Sequence, residues 1–293
     1  MKTSRSLPNA PFPELEPGIS AREVVIDWER VRIVEAGDPK AFPIVLLHGW
    51  GASAYNYRGI LRPLADAGYH AIAPDLRGHG GSSTVLGRGS WSREAMVHWL
   101  RRLLDALGVG ECVIVGQSIG GAMALDAAAR MPDRVRAVVL LAPIGFTTVR
   151  RVLLARWFPW VSIPTTPRWI VASILRDIYG TRGRWTERDL DEYWMPLRRG
   201  DVVRALLQSA REFDFTPRDP APLRGCRIVA RFGELDRLIP HAVAMRHAKR
   251  FDGADAAVLP GVGHVPAEEI PAEIAELVQR VAEDLRASSK SVL

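Results

Sequence analysis

Short apolar runs that each hand over to a helix-patterned stretch are what most narrows the folds open to this chain. Pro43–His48 (PIVLLH) is continuously apolar up to its closing histidine, as expected of a strand buried on both faces. Tyr55–Ala67 carries helical spacing, and His70–Pro74 returns to a short strand. Ser92–Leu107 sets Met96, Trp99, Leu100, Leu103, Leu104 and Leu107 at three- and four-residue intervals, an amphipathic helix. Cys112–Gly116 reads as a strand, Ile119–Arg130 as an alanine-rich helix and Val135–Leu141 as another strand. Such alternation requires a mostly parallel sheet with helices on both faces. Val24–Trp28 and Val31–Glu35 precede it as an opening hairpin, joined across two polar residues.

The rhythm breaks after Pro143. Phe146–Phe213 holds five of the nine tryptophans and no strong strand pattern. Helices are expected there at Arg150–Trp157, Trp169–Tyr179 and Glu187–Leu197. The alternation resumes with Cys226–Gly233, a helix at His241–Arg250, the run Ala256–Leu259 and a closing helix from Ala267 to about Ala287. An α/β core over 23–145 and 212–293, interrupted by a helical cap over 146–211, accounts for this order. Residues 1–22 read as a leader. Its first stretch is rich in proline and polar residues without an apolar core, which does not suit a secretory signal and sets a cytoplasmic expectation.

Gly116-Gln117-Ser118-Ile119-Gly120 fits G-x-S-x-G where that motif has mechanical meaning, between a strand and a helix. A serine there sits on a strained turn at the carboxyl end of the sheet, with a helix N-terminus behind it to favour negative charge. A hydroxyl is a poor nucleophile until a base, itself oriented by an acid, takes its proton. Asp236 follows the Cys226–Gly233 strand and His264 follows Ala256–Leu259, giving the chain order Ser, Asp, His. Glu234 is the nearest rival for the acid. Glycines before His264 suggest a loop along which the imidazole can swing to the serine. Oxyanion donors are expected from the backbone N–H groups of Ile119 and Trp50, the latter in His48-Gly49-Trp50-Gly51. His48 and His79 are read as loop braces, with Asp75 and Arg77 bonding inside their own turn. Gln117, Phe146, Trp157 and Trp194 are placed at the substrate pocket.

Composition excludes several other roles. The chain's net charge of +6 comes from the segment Val149–Arg211, with twelve arginines against six acids. No nucleic-acid-binding module accompanies that charge. Arg150–Ile163 mixes arginine, leucine and tryptophan, which leaves contact of the cap with a lipid surface as a minor expectation. Cys112 and Cys226 open apolar runs and are expected as free core residues, and no Cys/His spacing suggests a metal.

The stretches LLHGWGAS, APDLRGHGGSS, VGQSIGGAMAL, FGELDRLIP and GVGHVPAEEIP together resemble the α/β-hydrolase superfamily, of the capped kind that includes esterases, haloperoxidase-like enzymes and epoxide hydrolases. The resemblance implies the α/β-hydrolase fold with an inserted helical cap, and a triad at Ser118, Asp236 and His264. Epoxide hydrolases and haloalkane dehalogenases of that family carry aspartate at the elbow, so Ser118 turns the expectation away from both. Proline iminopeptidases show a Gly-Gly-Ser-Trp elbow and acidic cap residues, and carbon–carbon bond hydrolases a proline-bearing oxyanion loop that Trp50–Ala54 lacks. The expectation that remains is a cofactor-free carboxylic ester hydrolase acting on a small, apolar ester. An acyltransferase, an amide or carbon–carbon hydrolase, and a non-catalytic receptor stand as alternatives.

Overall fold

The computed structural model describes residues 17–147 and 166–290. Eight strands form one sheet: β1 (Ile19–Ile26), β2 (Glu29–Ala36), β3 (Phe42–Leu47), β4 (Tyr69–Pro74), β5 (Cys112–Gln117), β6 (Val135–Leu141), β7 (Arg227–Gly233) and β8 (Asp255–Leu259). Their order is β1-β2-β4-β3-β5-β6-β7-β8. Only β2 runs against the others, pairing antiparallel with β1 and β4. From β4 to β8 every pairing is parallel, which is why β4 and β5 are buried along their whole length. The order turns between β3 and β5, and the crevice at the carboxyl ends of strands flanking such a switch is where open α/β sheets bind ligands.

Helices α1 (Arg58–Asp66), α2 (Arg93–Ala106) and α3 (Ile119–Arg130) cross between the early strands, α1 opening on a short 3₁₀ turn at Ala54–Tyr57. α2 starts where expected because Ser92 caps it, its hydroxyl accepting from the Ala95 N–H. Its Met96, Trp99, Leu100, Leu103 and Leu104 fill one core layer with α3 and the facing side of the sheet. After β7 come α7 (His241–Ala248), the one-turn α8 (Pro266–Glu269) and the closing α9 (Pro271–Lys290), which with α1 covers the opposite face.

Between β6 and β7 lie α4 (Arg168–Ile178), α5 (Glu187–Trp194) and α6 (Gly200–Glu212), bearing out helices at 169–179 and 187–197. The helix expected at 150–157, and with it Trp157 and the segment 150–163, lies outside the described residues, as does most of the leader. Four differences in detail have physical causes. The hairpin turn is Asp27-Trp28 rather than the polar pair after it, with Asp27 in the left-handed region at φ 56° and Trp28 largely exposed. α6 carries no expected counterpart, because its apolar spacing is spread among polar residues. The closing helix is broken at Pro271, which cannot continue the ladder of α8. Arg77 leaves its own turn and pairs through two nitrogens with Glu29, at 2.6 and 2.8 Å.

Both cysteines are free, Cys112 buried in the core. Among the described residues no helix is long and apolar enough to cross a membrane, and no three His, Cys, Asp or Glu side chains cluster at metal-binding range.

Candidate active site

Ser118 is the sharpest feature of the backbone. It stands between β5 and α3 at φ 53° and ψ −115°, a conformation that costs an L-residue strain and survives only where its surroundings enforce it. The enforcement is visible on every side. Its N–H donates to the Leu141 carbonyl (3.1 Å), and its own carbonyl accepts from Ile144 (2.9 Å) and Gly121 (3.1 Å). A Cβ on Gly120 would come within 2.0 Å of the Leu47 carbonyl oxygen, and one on Gly121 within 2.6 Å of the Pro143 Cβ. The glycines of the motif therefore buy contact between α3 and the strands beside it. The serine side chain is held at the carboxyl end of β5, buried to 6% exposure.

Asp236 follows β7. One carboxylate oxygen accepts from the N–H groups of Leu238 (2.8 Å) and Ile239 (2.9 Å), and the other meets His264 Nδ1 at 2.8 Å. A carboxylate only accepts, so Nδ1 carries the proton and Nε2 is left as the basic nitrogen. Glu234, the rival acid, is turned to the Gly261 N–H at 2.8 Å and holds the loop instead.

The backbone of His264 is pinned on both sides. Its backbone N–H donates to the Ile178 carbonyl (2.6 Å), and its carbonyl accepts from Gln117 Nε2 (3.0 Å). Gly263 is needed because a Cβ there would lie 2.6 Å from the Gly180 nitrogen, so it serves packing rather than mobility. Glu269 clamps the same loop, accepting from Gly263 N–H and Gly180 N–H at 2.7 Å each. Burial pushes the Glu269 carboxyl upward against those donors. Its role was missed in the sequence, although Glu268 and Glu269 stand inside the stretch GVGHVPAEEIP.

The loop after β3 closes against Ser118. A Cβ on Gly49 would lie 3.3 Å from Ser118 Cβ, and Gly51 takes φ 75°. His48 is buried beneath it, donating from Nδ1 to the Gly49 carbonyl (2.8 Å) and accepting the Leu76 N–H at Nε2 (2.9 Å). Burial drives its pKa down, so it braces the loop as a neutral ring.

Of the residues expected at the pocket, Phe146 lies in the core, Trp194 in the cap and Gln117 behind the elbow. Phe146 is 1% exposed and packs against Phe251, Phe232 and His247 at centroid distances of 4.9, 5.6 and 5.9 Å, within the core. Trp194 donates its indole N–H to Thr166 O (2.7 Å) and packs inside the cap cluster with Val171, Leu175 and Leu190. Gln117 is buried and spends its amide on the His264 carbonyl.

The family model for the alpha/beta hydrolase fold matches residues 43–269. The chain belongs to that family. Epoxide hydrolase A of Mycobacterium tuberculosis is 41% identical over 113 residues, which is 39% of this chain and 35% of that relative. The chain thus spans about a third of the length of that curated relative. The 2-hydroxy-6-oxo-6-phenylhexa-2,4-dienoate hydrolase of Burkholderia cepacia is 26% identical over 250 residues, covering 80% of this chain and 85% of the relative. Among solved structures, an epoxide hydrolase without ligand superposes with a TM-score of 0.77 at 21% identity, over 91% of this chain and 99% of its own. The eight-stranded, mostly parallel sheet agrees with that family's fold.

Proposed function

We propose that this member of the family is a serine hydrolase that cleaves a carboxylic ester through an acyl-enzyme. The observation that carries the reading is the strained Ser118 on an elbow whose Gln117 bonds the His264 carbonyl at 3.0 Å, together with the Asp236 carboxylate that meets His264 Nδ1 at 2.8 Å. His264 Nε2 takes the Ser118 proton as Oγ attacks the ester carbonyl. The alcohol leaves with that proton, and water activated by the same nitrogen releases the acid. The N–H groups of Ile119 and Trp50 stabilise the tetrahedral oxyanion, each worth roughly 3–4 kcal/mol in such sites. Helices α4–α6 form the cap that admits the acyl group. No cofactor enters the cycle.

Serine at the elbow supports this over the activities named for the epoxide hydrolase relatives, whose family members attack with aspartate. One second reading has its own support: the relative matched over 85% of its length is named for hydrolysing a dienoate whose ketone has only carbon neighbours. The same triad would then break a carbon–carbon bond. The test is a substrate panel of short p-nitrophenyl esters and a 2-hydroxy-6-oxo-dienoate, assayed with the wild type and Ser118→Ala. Ester turnover lost in Ser118→Ala is the expected result. Turnover of the dienoate alone would favour the second reading, and ester turnover retained by Ser118→Ala would overturn the first.

A further inference from the structure

Trp50 does more than contribute a backbone N–H. It stands at the second position of a turn closed by the Ala52 N–H on the Gly49 carbonyl (3.2 Å), with Gly51 at φ 75° in the third. A turn of this kind is held by one hydrogen bond, and a glycine at its centre lets the flanking peptides rotate cheaply. Below it, Gly49 is pressed to within 3.3 Å of Ser118 Cβ, counted from the Cβ a larger residue would carry, so a small rotation of the loop alters the hole. The Trp50 side chain leaves the core, at 43% exposure, and reaches the inserted helix α6. There its indole Nε1–H is shared between Ser209 Oγ (3.0 Å) and the Leu206 carbonyl (3.2 Å). Ser209 Oγ donates its own proton to the same Leu206 carbonyl (2.8 Å), so its lone pair is directed to the indole and every donor has a defined acceptor. Ser209 is 1% exposed, so its hydroxyl is withdrawn from water and kept for these two partners.

We infer that the Trp50 indole is a positioning group, through which α6 of the cap sets the oxyanion hole at the core. The inference rests on the serine hydrolase reading and names the part of the cap on which that reading depends. Seating of α6 then controls the developing charge, and leaves ground-state binding of the ester nearly untouched. Misplacing a catalytic group by about 1 Å can cost about a hundredfold in rate. Losing the shared indole bond while the turn persists is expected to cost about tenfold.

The experiment compares Trp50→Phe, Ser209→Ala and Ser209→Thr with the wild type, using a short p-nitrophenyl ester and a trifluoromethyl ketone that mimics the tetrahedral intermediate. Trp50→Phe keeps the backbone N–H and the aromatic bulk but loses the indole donor. The expected result is kcat lower by about tenfold with KM within about twofold, and ketone affinity lowered by the same factor as kcat/KM. Ser209→Ala should fall between Trp50→Phe and wild type because the Leu206 carbonyl remains, and Ser209→Thr should restore most of the loss. Thermal unfolding of Ser209→Ala within a few degrees of wild type separates positioning from general damage. Wild-type kcat and ketone affinity in both Trp50→Phe and Ser209→Ala would overturn the inference while leaving the serine hydrolase reading intact. A wild type that turns over no ester would instead remove the reading beneath it.

Discussion

At the scale of single residues, the proposed acid gives one expected outcome. Asp236→Asn keeps the shape but donates to Nδ1 instead of accepting, which favours the wrong tautomer and should lower kcat roughly 10³–10⁴-fold in an ester assay. Unchanged kcat would mean that another group orients His264. Ser118, Asp236 and His264 are legible as a candidate triad because each follows a strand that is clear as an apolar run. What holds them is not legible, because Gln117 bonds the His264 carbonyl and Glu269 the Gly180 N–H, both far along the chain. The core position of Phe146 is not legible for a similar reason: an aromatic residue just past a strand end suits a pocket wall as well as a core. The elbow gives a second expected outcome. Gly120→Ala places a methyl against the Leu47 carbonyl, and should destabilise the fold by at least about 3 kcal/mol in denaturant unfolding.

At the scale of elements, the core strands and the amphipathic α2 were legible to within a residue or two, because their periodicity coincides with burial. α6 was not, since its inward face of Val202, Ala205, Leu206 and Ser209 is small and partly polar, which weakens the pattern. The neighbouring α5 carries a pH-dependent weakness. Glu192 is buried on it with its carboxyl pushed up to about 7, chiefly by burial and against the pull of Arg188, Arg32 and Arg58. A carboxyl whose folded pKa is raised favours the native state while protonated, and that advantage is lost as pH rises from about 4.5 through about 7. Glu192→Gln removes the dependence. Relative to wild type it should gain stability between pH 5 and pH 8, on the order of 1–3 kcal/mol, read as a difference in Tm. A Tm difference that stays flat with pH would contradict the placement of that carboxyl.

At the scale of the whole molecule, residues far apart in sequence are gathered at one edge of the sheet. Gly49 and Trp50 follow β3, Ser118 follows β5, Asp236 follows β7 and His264 follows β8, all at the carboxyl ends of parallel strands, from the turn in strand order outward to the β8 edge. The chain that returns from α6 to β7 is fastened to α3 by the buried pair Arg218–Asp126 at 2.8 Å, with Arg93 also facing Asp126 at 3.4 Å. Arg218→Ala leaves the buried Asp126 carboxylate to the longer contact with Arg93 alone and should cost about 2–4 kcal/mol in denaturant unfolding, whereas an ordinary surface pair costs under about 1 kcal/mol. The central claim is that this assembly activates one serine, and a fluorophosphonate probe followed by peptide mass spectrometry addresses it most directly. The account expects a covalent adduct on Ser118 in the wild type, slowed strongly in His264→Gln and absent in Ser118→Ala. An unlabelled wild type, or an adduct on any other residue, would contradict it.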